Sequence, residues 1–396
     1  MSALDSIFIS TEHWLAGLAP AGVRPLVSML LIIAGLMAVF GSCFALTTIL
    51  ERKILGRMQN RYGPNRVGPC GLFQPLADGV KMLIKEDIVP FSADQAVHFL
   101  APVALTAPIW LAFAVLPFGR GMSAIELDAG ILFFFAIGSA SELAVFMAGW
   151  SSQNKYSLLG AMRAIAQMIS YEVPLVLASI PVLIAASSLS LPEIVQAQSG
   201  FVMGWIPRWN VFTPWGLAGF ALFMIAAAAE SNRCPFDLPE GESELIAGFL
   251  TEYSGFKYAL FFLGEYLGLF AVTGLGVTLF LGGWQAPARW LEWLPSWGWF
   301  AAKFGVLIFL FIWARATLPR LRLDQLLNFA WKFLVPLALV NLFVAVAWWQ
   351  SGVWQFPGAL ELRWLLGTGL LAGVYVWLGR ALKGGKTAEH HYNYAE

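Results

Sequence analysis

Between positions 230 and 252 the chain carries Glu230, Asp237, Glu240, Glu242, Glu244 and Glu252 beside a single cation, Arg233. Carboxyls this close raise one another's pKa, and partial burial raises them further. They should titrate as a coupled group, which can hold or pass protons near neutral pH. A solvated acidic loop is the ordinary fate of such a run. The interleaved Phe236, Leu238, Leu245, Ile246 and Phe249 argue instead for a loop folded back toward apolar surroundings. Three further acids, Glu142, Glu172 and Glu265, fall inside long apolar stretches. A charge at the centre of a bilayer costs about 2.5–3.5 kcal/mol even on the gentler scales, so each needs a partner, water or a proton. Glu172 stands two residues before Pro174, where a helix opens locally and can admit water. A protonated acid bonded to a neighbouring helix is the competing reading. It weighs evenly for Glu142 and Glu265, less for Glu172.

The opposite charge is concentrated in ERKILGRMQNRYGPNRVGP (51–69), with Arg52, Lys53, Arg57, Arg61 and Arg66. Basic loops are common topology signals and often face lipid headgroups. Here Pro and Gly fix the turns that hold Arg61 and Arg66, which favours a shaped surface. The basic and acidic loops fall on the same side of the membrane and could pair into a polar vestibule between helices.

The elements that must position these groups are membrane helices. The 396 residues are 59% hydrophobic and 12% charged, with eighteen Trp and thirty-one Phe, and the mean hydropathy is +0.70. Spanning helices need about 20 mostly apolar residues. Eight stretches qualify, near 26–50, 97–118, 131–150, 165–188, 213–231, 257–282, 299–318 and 333–351, and a weaker ninth lies at 364–381. The first is too long, and too poor in preceding basic residues, to read as a removed signal peptide. Within 70–89, Phe73, Leu76, Val80, Leu83 and Ile84 recur at helical spacing opposite Asp78, Lys81 and Lys85, which predicts a short amphipathic helix in the interface. The fold class is therefore all-α, a polytopic bundle of eight to nine transmembrane helices plus that interfacial helix. It forms one membrane domain over 1–396, with a basic loop and amphipathic helix at 51–90, an acidic loop at 230–256 and a polar tail at 383–396. Eighteen of the twenty-four Lys and Arg fall in loops after odd-numbered helices or in the tail. The positive-inside rule makes that side cytoplasmic and the N-terminus external. Lys303, near a helix end, is expected to snorkel to the surface.

Cys43, Cys70 and Cys234 are far apart and the four His are scattered, so the sequence predicts no metal or iron–sulfur site in this chain. Phosphate-binding glycine loops and HExxH are also absent, and no redox cofactor is expected on this chain. Zero net charge suggests no nucleic-acid partner.

Several long stretches resemble one family closely: the quinone-site membrane subunit of respiratory complex I, the H subunit in bacteria and subunit 1 in mitochondria. They are ERKILGRMQNRYGPNRVGPCGLFQPLADGVK (51–81), AGWSSQNKYSLLGAMRAIAQMISYE (148–172), AESNRCPFDLPEGESELIAGFLTEYSG (229–255), FFLGEY (261–266) and RATLPRLRLDQLLNFAWK (315–332). The resemblance implies a subunit of NADH-quinone oxidoreductase, inactive alone, in a bacterial cytoplasmic membrane. Quinone would be the substrate, and FMN and iron–sulfur clusters would sit on partner subunits. Those partners are the hydrophilic-arm subunits around the quinone site, with the terminal iron–sulfur cluster, and the small and antiporter-like membrane subunits. Membrane lipid would surround the chain. By residue matching, Arg52, Arg61, Asp78, Arg233, Asp237 and Arg315 would line the quinone cavity and its polar approach. Glu172, Glu230, Glu240, Glu242 and Glu244 would begin a proton or charge relay, with Glu51, Glu142, Glu252 and Glu265 as further candidates. Glu142 and the ninth helix depart from the family pattern. The nearest rival is the homologous membrane subunit of a membrane-bound hydrogenase or related dehydrogenase, which the GPNRVGP turn disfavours. A secondary ion transporter would explain the buried acids but not the two oppositely charged loops.

Overall fold

The computed structural model describes residues 5–20, 22–202, 206–237, 247–353 and 359–383. After a short helix α1 (Ile7–Gly17), which packs on the start of the next, helix α2 runs unbroken over Arg24–Met58. The basic stretch therefore begins inside a helix: Glu51, Arg52, Lys53 and Arg57 all lie on its last two turns. ERKILGRM is made mostly of good helix formers, and the helix stops only where Asn60 turns left-handed at φ 54°. The predicted interfacial helix is α3 (Gln74–Ile84), with Pro75 in its first turn and no buried residue.

The bundle continues with α4 (Gln95–Val115), α5 (Gly130–Ser151) and α6 (Lys155–Ala186). Helix α6 starts ten residues before its apolar stretch, because Asn154 caps it by accepting the Tyr156 N–H at 3.0 Å and so outweighs the polar first turns. On the far side lie α7 (Leu191–Ala197) and a two-residue antiparallel pair, β1 (Phe201–Val202) with β2 (Ile206–Pro207). Helix α8 (Pro214–Glu230) follows, started by Pro214 and by the Thr213 hydroxyl, which accepts the Gly216 N–H. Then come α9 (Gly255–Phe280), α10 (Ser296–Thr317), the short α11 (Leu323–Phe329), a π-helical turn over Ala330–Leu334, α12 (Val335–Gln350) and α13 (Ala359–Lys383). Among the described residues eight helices are long and apolar enough to cross a membrane, and the weak ninth stretch is one of them. Helix α8 is the exception at 17 residues, about 25 Å at the helical rise.

Helix α9 is the hub, buried along most of its length against α4 and α8, whereas α2 is almost wholly exposed. One contact tying α2 in is the stacked pair Phe40–Phe113, with centroids 3.8 Å apart. Helix α13 packs on α12 and α8. The return of the acidic loop, Gly248–Leu250, lies directly on α6: a Cβ at Gly160 would stand 2.6 Å from Gly248 Cα, so the backbones touch only because position 160 is glycine.

Lys303 does not snorkel. Its ammonium turns inward and donates to the carbonyls of Leu281 (2.6 Å), Gly283 (2.9 Å) and Gln285 (2.7 Å), 3.9 Å from the centre of the Trp209 ring. Leu281 caps α9, and Gly283 and Gln285 lie in the loop that follows; three converging carbonyls meet all three ammonium donors, which holds the cation there rather than in water.

Candidate functional site

Four elements converge on Glu51. From the end of α2 its Oε1 pairs with the Arg315 guanidinium, on the last turn of α10. It also stands 3.9 Å from Arg233 Nη1, in the turn after α8. The other oxygen accepts from Tyr266 Oη of α9 at 2.5 Å. Arg233 lies over the Tyr266 ring, its Cζ 3.7 Å from the centroid. Glu51, Arg233 and Tyr266 are 5%, 8% and 3% exposed, so water screens these charges little. Burial opposes the Arg233 charge, but Tyr266, Glu51 and Glu265 outweigh it and hold the guanidinium above its usual range. Beside the cluster is a cavity of about 10 Å³ lined by Thr47, Glu51, Arg233, Tyr266, Phe311 and Arg315 among others, room for about one water and none for a quinone ring.

Three of the sequence candidates thus meet at one point, and Glu265 acts on Arg233 from the neighbouring position. Sequence reasoning misses Tyr266, although it ends the FFLGEY stretch beside an acid that stands out. The two loops do meet, but with their charges exchanged: the basic stretch supplies the acid and the acidic loop the cation. Asp237 pairs with Arg320 at 2.9 Å, not with an arginine of 52–66, and Arg320 is another residue that the sequence does not single out. Arg61 is exposed and donates to Gln59 at 2.8 Å, away from Glu51.

Arg52 holds α3 to α2 through Asp78 at 2.7 Å, with Lys81 at 3.5 Å and Gln74 Nε2 at 3.1 Å from the same carboxyl. Burial opposes ionisation of Asp78, but Arg52, Gln74 and Lys81 prevail and hold its pKa below the ordinary 3.8. A depressed carboxyl gives its full contribution above the ordinary value and loses it as pH falls through the lowered one. Protection factors for amide hydrogen exchange over 74–84, which divide out the intrinsic pH dependence, are accordingly expected to fall as pH is lowered from 5 to 3, and Asp78→Asn should be weakly protected at both. Equal protection factors for wild type at the two pH values would remove the pair as the anchor of α3.

A second cluster lies between α5, α6 and α8. Glu172 accepts from Ser139 Oγ at 2.5 Å, and Glu142 lies close enough to Glu172 for the two carboxyls to act on each other. Glu230 is near enough for the charges of both to act on it, and one of its oxygens is buried with no hydrogen-bond partner. The charged turn joins this trio to the Glu51 cluster, because Glu230 and Arg233 are three residues apart. One side chain pins that turn: Gln167 Nε2 of α6 reaches Ala229 O (2.8 Å), Asn232 Oδ1 (3.2 Å) and Phe236 O (2.7 Å).

Glu252 belongs to neither cluster. It accepts from Asn154 Nδ2 at 2.7 Å, next to Tyr253, which stacks on the fully buried His98. Glu240, Glu242 and Glu244 lie outside the described residues.

A family model described as NADH dehydrogenase matches residues 31–346. The H subunit of a NADH-quinone oxidoreductase from Dehalococcoides mccartyi (strain CBDB1) is 53% identical over 74% of this chain and 79% of its own length. The corresponding protein of Brevibacillus brevis is 48% identical, covering 76% of this chain and 88% of its own. That of Polaromonas naphthalenivorans is 40% identical across 89% of this chain and its own full length.

Proposed function

The chain belongs to the family of H subunits of NADH-quinone oxidoreductase, and we propose that, as a membrane subunit of that enzyme, it walls the quinone cavity and passes the charge made there to an acidic relay. The observation carrying this reading is the meeting of two guanidiniums on the buried Glu51, one of them three residues of chain from Glu230, on which Glu172 and Glu142 act. Reducing a quinone to the quinol takes two electrons and two protons, and negative charge develops on the ring oxygens before the protons arrive. In a low-dielectric site such charge is worth far more than in water. Arg233 and Arg315 supply the compensating field. Glu51 and Tyr266 hold the two cations in place, and Asp78 with Arg52 sets α3 at the polar approach. Since the cavity beside the cluster admits only about one water, the space for the quinone ring is completed by a partner subunit of the hydrophilic arm. Electrons reach it from NADH through flavin and iron–sulfur centres held by such partners.

A change in charge at Arg233 acts through the pinned turn on Glu230, and thence on Glu172 and Glu142. Glu240, Glu242 and Glu244 continue the relay in this reading. Glu142, outside the family pattern, joins it by its closeness to Glu172. The test is purification of the tagged chain in mild detergent with assay of the complex that comes with it. The expected result is a large assembly with flavin, iron–sulfur signals and inhibitor-sensitive NADH-to-quinone electron transfer. A hydrogenase module, or this chain alone, would overturn the reading.

A further inference from the structure

Helix α1 is 11 residues long, about 16 Å at the helical rise and about half of what crossing the hydrocarbon takes. It is nonetheless tied at both ends to membrane-spanning helices. Asp5, just before it, accepts the Ser296 N–H at 2.6 Å, one of the free donors that start α10. Phe8 meets Trp297 edge-on, with centroids 5.6 Å apart. At the other end Arg24, the first residue of α2, donates to the carbonyls of Ala19 (3.2 Å) and Gly17 (3.4 Å). Ser28, one turn on, donates to Glu12 at 2.5 Å. These contacts hold α1 at the level where the spans of α2 and α10 begin.

Three environments are laid out around its circumference. At about 3.6 residues per turn, Ile9, Glu12 and Ala16 share the side that is drawn in, and none of them is exposed. Ser10, His13 and Gly17 form an exposed polar strip. Ile7, Phe8, Thr11, Trp14, Leu15 and Leu18 form the third side, and its five apolar members are between 41% and 71% exposed. The one hydroxyl there, on Thr11, donates to the Phe8 carbonyl at 2.8 Å, so that side holds no unmet donor. A packed side, a wet side and an apolar side together fit a helix lying where water meets hydrocarbon. The neighbouring surface identifies the hydrocarbon as lipid. Leu26, Met29 and Leu30 on the first turns of α2 are exposed as well, so the apolar side of α1 adjoins the membrane face of a spanning helix. Trp14, with Trp290 and Trp293 before the start of α10, is exposed at this end, as in the aromatic belt at headgroup level.

We propose that α1 lies in the plane of the membrane, in the leaflet remote from the basic stretch, and anchors the start of α2 there. Ile7, Trp14 and Leu18 enter the acyl chains, while Ser10 and His13 face water. The polar strip carries no Lys or Arg, so the attachment rests on apolar contact and is indifferent to headgroup charge. Helix α2 needs such an anchor, because it is exposed along almost its whole length and carries Glu51 and Arg52 near its far end. The proposal stands without the quinone reading, which concerns that far end.

The test replaces Ser10, His13, Trp14 and Leu18, one at a time, by the photocrosslinker p-benzoylphenylalanine in the intact complex, irradiated in its native membrane. Positions 14 and 18 are expected to give lipid adducts, read by mass spectrometry on the α1 peptide, and positions 10 and 13 none. Crosslinking of 14 and 18 to another protein assigns that side to a partner subunit and overturns the proposal. No adduct at either, or lipid equally at all four, overturns it too. For the anchor, Trp14→Asp with Leu18→Asp should lower protection from amide exchange over 7–17 and 24–27 about tenfold in lipid bilayers. Ser10→Asp with His13→Asp should leave it unchanged. Unchanged protection over 24–27 in the first pair removes α1 as the anchor of α2.

Discussion

Arg315→Ala is expected to lower NADH-to-quinone activity about 100-fold, the usual effect of removing one preorganised group facing developing charge. NADH oxidation by ferricyanide, which takes electrons upstream, should be unchanged. The variant is informative because Glu51 keeps Arg233 nearby and its hydrogen bond from Tyr266, so no carboxylate is left stranded. Arg315→Lys keeps the charge but loses the planar fork, and should recover assembly with only part of the rate. Normal quinone activity in Arg315→Ala would sink the role of the cluster. Loss of both activities in the Lys variant as well would reassign Arg315 to assembly.

Glu172→Gln is the second. The amide is nearly isosteric and can still accept from Ser139 Oγ, so the helices should pack and the complex assemble. What it cannot do is exchange a proton with Glu142. Blocking a positioned proton transfer typically costs about 100-fold or more, and both quinone reduction and proton translocation are expected to fall together by that order. Glu172→Asp should restore part of each. Wild-type translocation in Glu172→Gln would remove Glu172 from the relay.

Much of this arrangement is legible in the residues. Charges inside apolar stretches stand out because membranes tolerate so few of them, and that contrast alone singles out Glu172, Glu142 and Glu265. Helical periodicity reveals α3, and hydropathy reveals the nine long helical segments. Partnership is less legible. Glu51 and Arg315 are distant in sequence, and nothing in either one's neighbourhood says which meets which. Tyr266 and Arg320 look like ordinary interfacial residues until their partners are known. The exchange of charges between the loops is hidden for a related reason: counting by loop treats Glu51 as part of a basic stretch, whereas its position near the end of α2 aims it inward. Lys303 defeats the snorkelling expectation because a cluster of loop carbonyls makes no mark in composition.

The tethering of the turn over 229–236 also bears on time. Gln167 holds it at three points, near both ends and in the middle, so there is no hinge in it to swing. Domain closures and loop openings run over microseconds to milliseconds, whereas side-chain rearrangements take picoseconds to nanoseconds. In the relay proposed above, the signal crossing so tethered a segment would travel on the faster clock, and any slow step in the working cycle would lie elsewhere.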